Sequence, residues 1–164
     1  MNPSDAKRGA DSGTASAVQH LSAEAREPAD YQLLASVFAS HPDSVSVLDP
    51  DLTIRLVNPA TAREVPHART FVGRKCYDAF RAQTRPCEAC PCQEALATGK
   101  PQRARAPLFD ETGAVVGTME LFGFPLFDAV TGEALGVIEH ARNITREVEL
   151  EEKLEAWKAI GLYL

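Results

Sequence analysis

At 164 residues, with 45% hydrophobic side chains and a formal net charge of −6, the chain has the size and apolar content of one ordinary folded domain. The acidic balance, with a basic patch only at Arg103 and Arg105, argues against direct nucleic-acid binding. No run of about 18 apolar residues is present to span a membrane, and the first thirty residues lack the apolar core of a secretory signal.

Residues 1–28 are rich in Ala, Ser, Gly and Asp. Such a segment buries too little apolar surface to offset its ordering entropy, so a flexible tail is expected. A domain is expected over 29–144. It opens with a helix in which Leu33, Leu34, Val37 and Phe38 recur at helical spacing, with Asp30 as N-cap and Pro42 beyond its end. Val45 and Val47, then Leu52, Ile54 and Leu56, alternate on either side of "DPD", which predicts a hairpin. Asn58 followed by Pro59 marks the start of a short helix. "GRKCYDAFRA" and "CEACPCQEALATGKP" read as two more short helices, the second closed by Gly99 and Pro101. Three β-rich runs then follow between residues 102 and 145, separated by the turn signals "DETG" and "DAVTG". The order predicts an α+β fold with a five-stranded antiparallel sheet and flanking short helices. Over 145–164, Leu150, Leu154, Trp157, Gly161 and Leu164 follow a 4-3-4-3 spacing on an otherwise charged helix. That narrow strip is the seam of a paired helix and predicts a homodimer through the C-terminal segment.

All four cysteines, Cys76, Cys87, Cys90 and Cys92, fall within residues 76–92. With no secretory signal the cytoplasm is the default compartment, where clustered thiols bind metal or do redox chemistry more often than they form structural disulfides. The pattern C-x10-C-x2-C-x-C supplies four soft donors, a full set for zinc or an iron–sulfur cluster. Two other readings stay open: a Cys87–Cys90 dithiol that cycles with its disulfide, and four purely structural thiols. Pro91 fixes the backbone between Cys90 and Cys92, which turns Cys92 away from the other three in this reading. His67 lies in a polar loop and reads as a solvated side chain, and His140 in the last strand as a surface or packing residue. No nucleophile elbow, P-loop or dinucleotide fingerprint occurs, so no enzyme is expected.

Three strings resemble the PAS sensor family over roughly residues 30–150. "SVSVLDPDLTIRLVNPA" is similar to its opening hairpin, "FVGRKCYDAF" to its central helix, and "LGVIEHARNITREVELEEKL" to the ending in which the last strand runs into a signalling helix. This resemblance implies a sensory module for signal transduction, with Arg142, Asn143, Thr145, Leu150, Leu154 and Trp157 relaying the signal. Asn143 stands where the family usually has Asp; an amide bonds a nearby Arg more weakly than a carboxylate, so looser strand-to-helix coupling is expected. "LEEKLEAWKAIGLYL" resembles the lead-in to the dimerisation helix of bacterial sensor histidine kinases. The chain is therefore expected to be the input module of a two-component system that feeds a kinase transmitter. His20, His41, His67 and His140 all precede this helix, so no kinase activity is expected of the chain itself. Cys76 occupies the place of the photoreactive Cys of the flavin-binding LOV branch, but Lys75 and "YDAF" depart from that motif and the amides that edge a flavin are missing. "QEALATGKP" lacks the His that haem-binding members use. The resemblance thus argues against flavin and haem, and leaves an iron–sulfur cluster or zinc at the four cysteines. A cofactor-free dimerisation module, a thiol switch, and outputs other than a kinase remain as alternatives.

Overall fold

The computed structural model describes residues 28–65, 70–110 and 112–161; His20, His67, Leu164 and the tail expected before Pro28 lie outside them. The chain divides after Ser36. Helix α1 (Pro28–Ser40) begins two residues before Asp30, which sits in its first turn rather than capping it. Its Tyr31, Leu33, Leu34 and Val37 are exposed.

From Ser44 onward one five-stranded antiparallel sheet is built in the order β2-β1-β5-β4-β3. The strands are β1 (Ser44–Leu48), β2 (Ile54–Val57), β3 (Gln102–Phe109), β4 (Val115–Phe127) and β5 (Ala134–Asn143). Three short helices intervene between β2 and β3: α2 (Pro59–Glu64), α3 (Cys76–Arg81) and α4 (Pro91–Thr98), and α5 (Thr145–Gly161) follows β5. Strands from both halves of the chain thus meet in one sheet, with β1 pairing β5 through Val45↔His140 and Val47↔Ile138.

The hairpin departs from simple alternation. Leu52 stands in the turn with φ +66°, outside the strand, and is buried at 3% exposure, while Leu56 is 52% exposed. Thr53 N–H donates to the Asp51 carboxylate, and Leu52 N–H donates to Asp49 O. These bonds hold the turn that drives Leu52 inward in a conformation that costs a branched or bulky residue free energy. The return is burial of a whole leucine side chain, about 1.5–3 kcal/mol.

Asn58 caps α2 as its position before Pro59 predicts, accepting from Thr61 N–H. It does more than cap. At 1% exposure, its Oδ1 also accepts from Val45 N–H and Thr61 Oγ1, and its Nδ2 donates to the carbonyls of Asp43 (2.9 Å) and His41 (3.4 Å). One side chain so fixes the helix start, the first strand and the bend before it.

The core lies between the sheet and the α2–α4 segment. It contains Leu48, Leu52, Ile54, Phe71, Ala95 and Val137 together with Cys76, Cys90 and Cys92. Helix α4 rests on β4 backbone to backbone: a Cβ at Gly123 would come 2.5 Å from Pro91 O. The turn that ends α4 uses Gly99 at φ +68°, as its place before Pro101 predicts.

Candidate functional site

The four cysteines are delivered by two helix starts and the loop between them. Cys76 opens α3, its N–H donating to Leu52 O. The preceding Lys75 ties that helix to the hairpin, its Nζ donating to Asp51 O, Asp51 Oδ2 and Thr53 Oγ1. That bond, foremost, holds the Asp51 carboxyl down at about 2. Cys90 occupies the N-cap position of α4 and Cys92 its first turn, on either side of Pro91. Cys87 lies in the loop and is half-buried.

Cys76, Cys87 and Cys90 line one cavity of about 30 Å³ with Tyr77, Phe80, Leu121 and Glu139. That is far below the several hundred Å³ of a small-molecule site. Cys92, fully buried, stands behind Cys90, and its thiol donates to Glu139 Oε2 at 3.5 Å.

Electrostatics separates the four thiols. The Cys92 S–H, when it turns from Glu139 to Cys90, and the Gln93 and Cys92 N–H groups at the start of α4 together outweigh burial and bring Cys90 down to about 6. Cys92 is pushed up for the same reason, as the partner that keeps its proton, and by burial. Burial likewise raises Cys76 and Cys87. Glu139, whose carboxyl is turned into this apolar layer, is raised by the loss of solvent. One group of the set, Cys90, is therefore disposed to be an anion near neutral pH.

The donor set suits a soft cation, which would itself draw the raised thiols into their ionised form. Among the described residues, however, no three of these sulfurs have all their mutual distances within 4.8 Å. Zinc held by Cys76, Cys87, Cys90 and Cys92 needs the loop to draw in around the ion. An iron–sulfur cluster, larger than a single ion, needs a wider rearrangement of the same loop.

The inner wall leads to the C-terminal helix through β5. Asn143 Oδ1 accepts from Thr145 N–H (3.0 Å) and Thr145 Oγ1 (2.6 Å), and Thr145 Oγ1 accepts from Thr118 N–H (3.0 Å). Ile144 N–H donates to Thr118 O. No Arg bond to Asn143 is among these. The amide oxygen serves the helix start directly, and Arg142 pairs instead with Glu147 at 2.6 Å. Opposite Thr145 stands Gly117, where a Cβ would lie 2.0 Å from Thr145 Oγ1; glycine is the residue that fits. Beyond this junction Leu150, Leu154 and Trp157 are 55%, 55% and 75% exposed. Ile160, also exposed, extends the apolar strip and was missed by the 4-3-4-3 reading, which placed Gly161 in the seam.

The other face of the sheet holds a group that periodicity could not reveal. His140 Nε2 lies 3.0 Å from Asp43 Oδ2, and His41 packs edge-on against His140. Nearby, Arg103 pairs with the buried Glu120. Among the described residues no helix is long and apolar enough to cross a membrane.

Comparison with known proteins agrees with this architecture. No curated protein sequence matches the chain. Among solved structures, an RNA-binding light-oxygen-voltage receptor superposes with TM-score 0.65 at 21% identity, covering 85% of this chain and 41% of its own; the chain thus spans about two-fifths of that receptor. The PAS domain of Bordetella pertussis BvgS gives TM-score 0.55 at 20% identity, covering 80% of this chain and 98% of its own. A PAS domain from a two-component sensor histidine kinase gives 0.51 at 13% identity, covering 70% and 96%. At these identities the likeness shows the fold. The family described as "PAS fold" matches residues 38–149, and with the sheet order, the capped strand-to-helix junction and this match the chain belongs to the PAS family.

Proposed function

We propose that this PAS sensory domain is the input module of a two-component sensor histidine kinase and that it responds to oxidants through its thiol layer. The observation that carries the reading is the bond of the Cys92 thiol to Glu139 Oε2 at 3.5 Å, made two residues from Cys90 in the first turn of α4. It joins the helix start that carries the thiol disposed to ionise to β5, the strand that runs through Asn143 and Thr145 into α5. A peroxide is the fitting oxidant class. The Cys90 thiolate attacks one peroxide oxygen, an S–O bond forms as the O–O bond breaks, and the departing hydroxide or alkoxide takes up a proton. Cys90 is oxidised by two electrons to the sulfenic acid and the peroxide is reduced to water or alcohol. The anion that competes with Glu139 for the Cys92 proton is thereby lost, which changes the bond between Cys92 and Glu139.

Two further features support the signalling half of the reading. The exposed strip of Leu150, Leu154, Trp157 and Ile160 suits pairing with the same helix of a second copy. Glu139 is six residues from Thr145, so a change at its carboxyl acts close to the junction.

A second reading uses the same residues. The small cavity among Cys76, Cys87 and Cys90 suits a single zinc ion better than a cluster. It makes the site a staple or a metal sensor.

Purified full chain, prepared with and without hydrogen peroxide, decides between them. The oxidant reading expects metal-free protein in which Cys90 is modified first by mass spectrometry, with altered hydrogen exchange over residues 134–148. Unmodified Cys90, or unchanged exchange, overturns it. Stoichiometric zinc that leaves on oxidation selects the second reading.

A further inference from the structure

His41, Asp43 and His140 come from two distant parts of the chain and offer one ligand atom each, all within 4.8 Å of one another. The juxtaposition is made by the antiparallel pairing of β1 with β5, which sets His140 opposite Val45 and so beside the bend that precedes β1. His140 projects on the face of β5 opposite to Glu139, away from the thiols, as alternation along a strand requires.

The three side chains are held. The His140 ring stacks on Phe122 at 5.6 Å and meets His41 edge-on at 5.3 Å. His41 Nδ1 lies 3.3 Å from both the backbone N and O of Asp43, which fixes its ring against the bend. The bend is anchored from below by buried Asn58, which donates to the His41 and Asp43 carbonyls. His140 and Asp43 keep 21% and 32% of their side-chain surface open to solvent, an entry path for a small ion.

Two imidazoles and a carboxylate make a nitrogen-rich donor set. It suits zinc and its neighbours in the first transition series, whereas calcium and magnesium take oxygen ligands. Zinc holds such donors at about 2.0–2.2 Å, which puts adjacent ligand atoms roughly 3.4 Å apart. The His140–Asp43 pair stands at 3.0 Å and all three ligand atoms lie within 4.8 Å of one another, so small shifts of these side chains reach that spacing. We propose that His41, Asp43 and His140 form a binding site for a divalent transition-metal ion of the zinc class on the outer face of the sheet. Such an ion clamps the segment before β1 to β5. The site is independent of the thiol chemistry proposed above.

Cobalt(II) is the probe, because its spectrum distinguishes nitrogen and oxygen ligands from sulfur. Titrated into the reduced full chain, Co²⁺ is expected to bind one equivalent with visible d–d bands and without the intense near-ultraviolet sulfur charge-transfer band. His140→Asn and Asp43→Asn each weaken that binding by about 100-fold or more, beyond the ~10–100-fold typical of outer-shell changes. Near-ultraviolet circular dichroism checks that each variant is folded, and the more peripheral His41→Asn serves if His140→Asn is not. Absence of binding at one equivalent overturns the proposal. So does binding with a sulfur charge-transfer band that survives His140→Asn, a result that instead favours metal at the cysteines.

Discussion

Glu139 and His140 are neighbours on β5 in opposite surroundings. Glu139 faces an apolar layer of thiols, loses solvent, and holds its proton more tightly than an ordinary carboxyl. His140 faces a half-open rim with a carboxylate 3.0 Å away. The same backbone carries both, and alternation decides which chemistry each does. The inner face is built by helices pressed on the sheet, so its properties follow from burial. The outer face is built by a bend held from Asn58, so its properties follow from hydrogen-bonded geometry.

The contrast is tested most severely at Gly123. A Gly123→Ala methyl meets Pro91 O at 2.5 Å and should lift α4, costing about 3 kcal/mol, the upper part of the usual range for overpacking. Chemical denaturation that finds this variant as stable as the parent breaks the picture of an inner wall packed backbone on backbone. On the outer side, Asn58→Ala leaves the Val45 and Thr61 N–H groups without their partner. A loss of about 2 kcal/mol is expected, within the range for stranding a buried polar group. Its cobalt affinity should fall with its stability, because the His41–Asp43 bend loses its anchor.

Thiol reactivity sharpens the inner half. Alkylation of Cys90, followed peptide by peptide, should rise through a midpoint near pH 6, since the thiolate is the nucleophile. Cys92→Ala removes the donor that stabilises the anion, so the midpoint should move up toward the ordinary thiol range. An unmoved midpoint separates Cys90 from Cys92.

Glu139→Gln has a pH signature with a definite sign. A carboxyl whose folded pKa is raised contributes stability at pH below its unfolded value and loses it as pH rises through the folded one. Glutamine does not titrate. The variant should therefore gain on the parent as pH rises above about 4.5, the ordinary carboxyl value that burial raises here, and the gap should close in acid. Thermal melts across that window read it. The smallest effect belongs to Glu147→Gln, which breaks an exposed pair with Arg142 and should cost about 0.5 kcal/mol or less.

Much of this architecture was legible in the residues. Turn signals marked the strand breaks, and the Asn58–Pro59 and Gly99–Pro101 punctuation located helix ends, because these features act within a few residues. Leu52 was misplaced, since strict alternation hides a buried turn residue held by Asp49 and Asp51. The thiol cluster was visible by its density, whereas the grading of Cys90 against Cys92 depends on a helix N-terminus and on Glu139, forty-seven residues away from Cys92. The His41–Asp43–His140 group was not legible at all. His140 read as a packing residue until the β1–β5 register placed it beside Asp43, ninety-seven residues earlier. Asn143 taught the reverse lesson, because an amide oxygen meets the need of the helix start without any arginine.

The close seat of Thr145 on Gly117 has a mechanical corollary. Thr118 bonds both Thr145 Oγ1 and Ile144 N–H beside this seat, which pins the first turn of α5 to β4, and a deflection of β5 is expected to emerge as tilt about that point. A helix of 17 residues reaches about 25 Å, and a tilt of about 5° at its root sweeps its far end by roughly 2 Å.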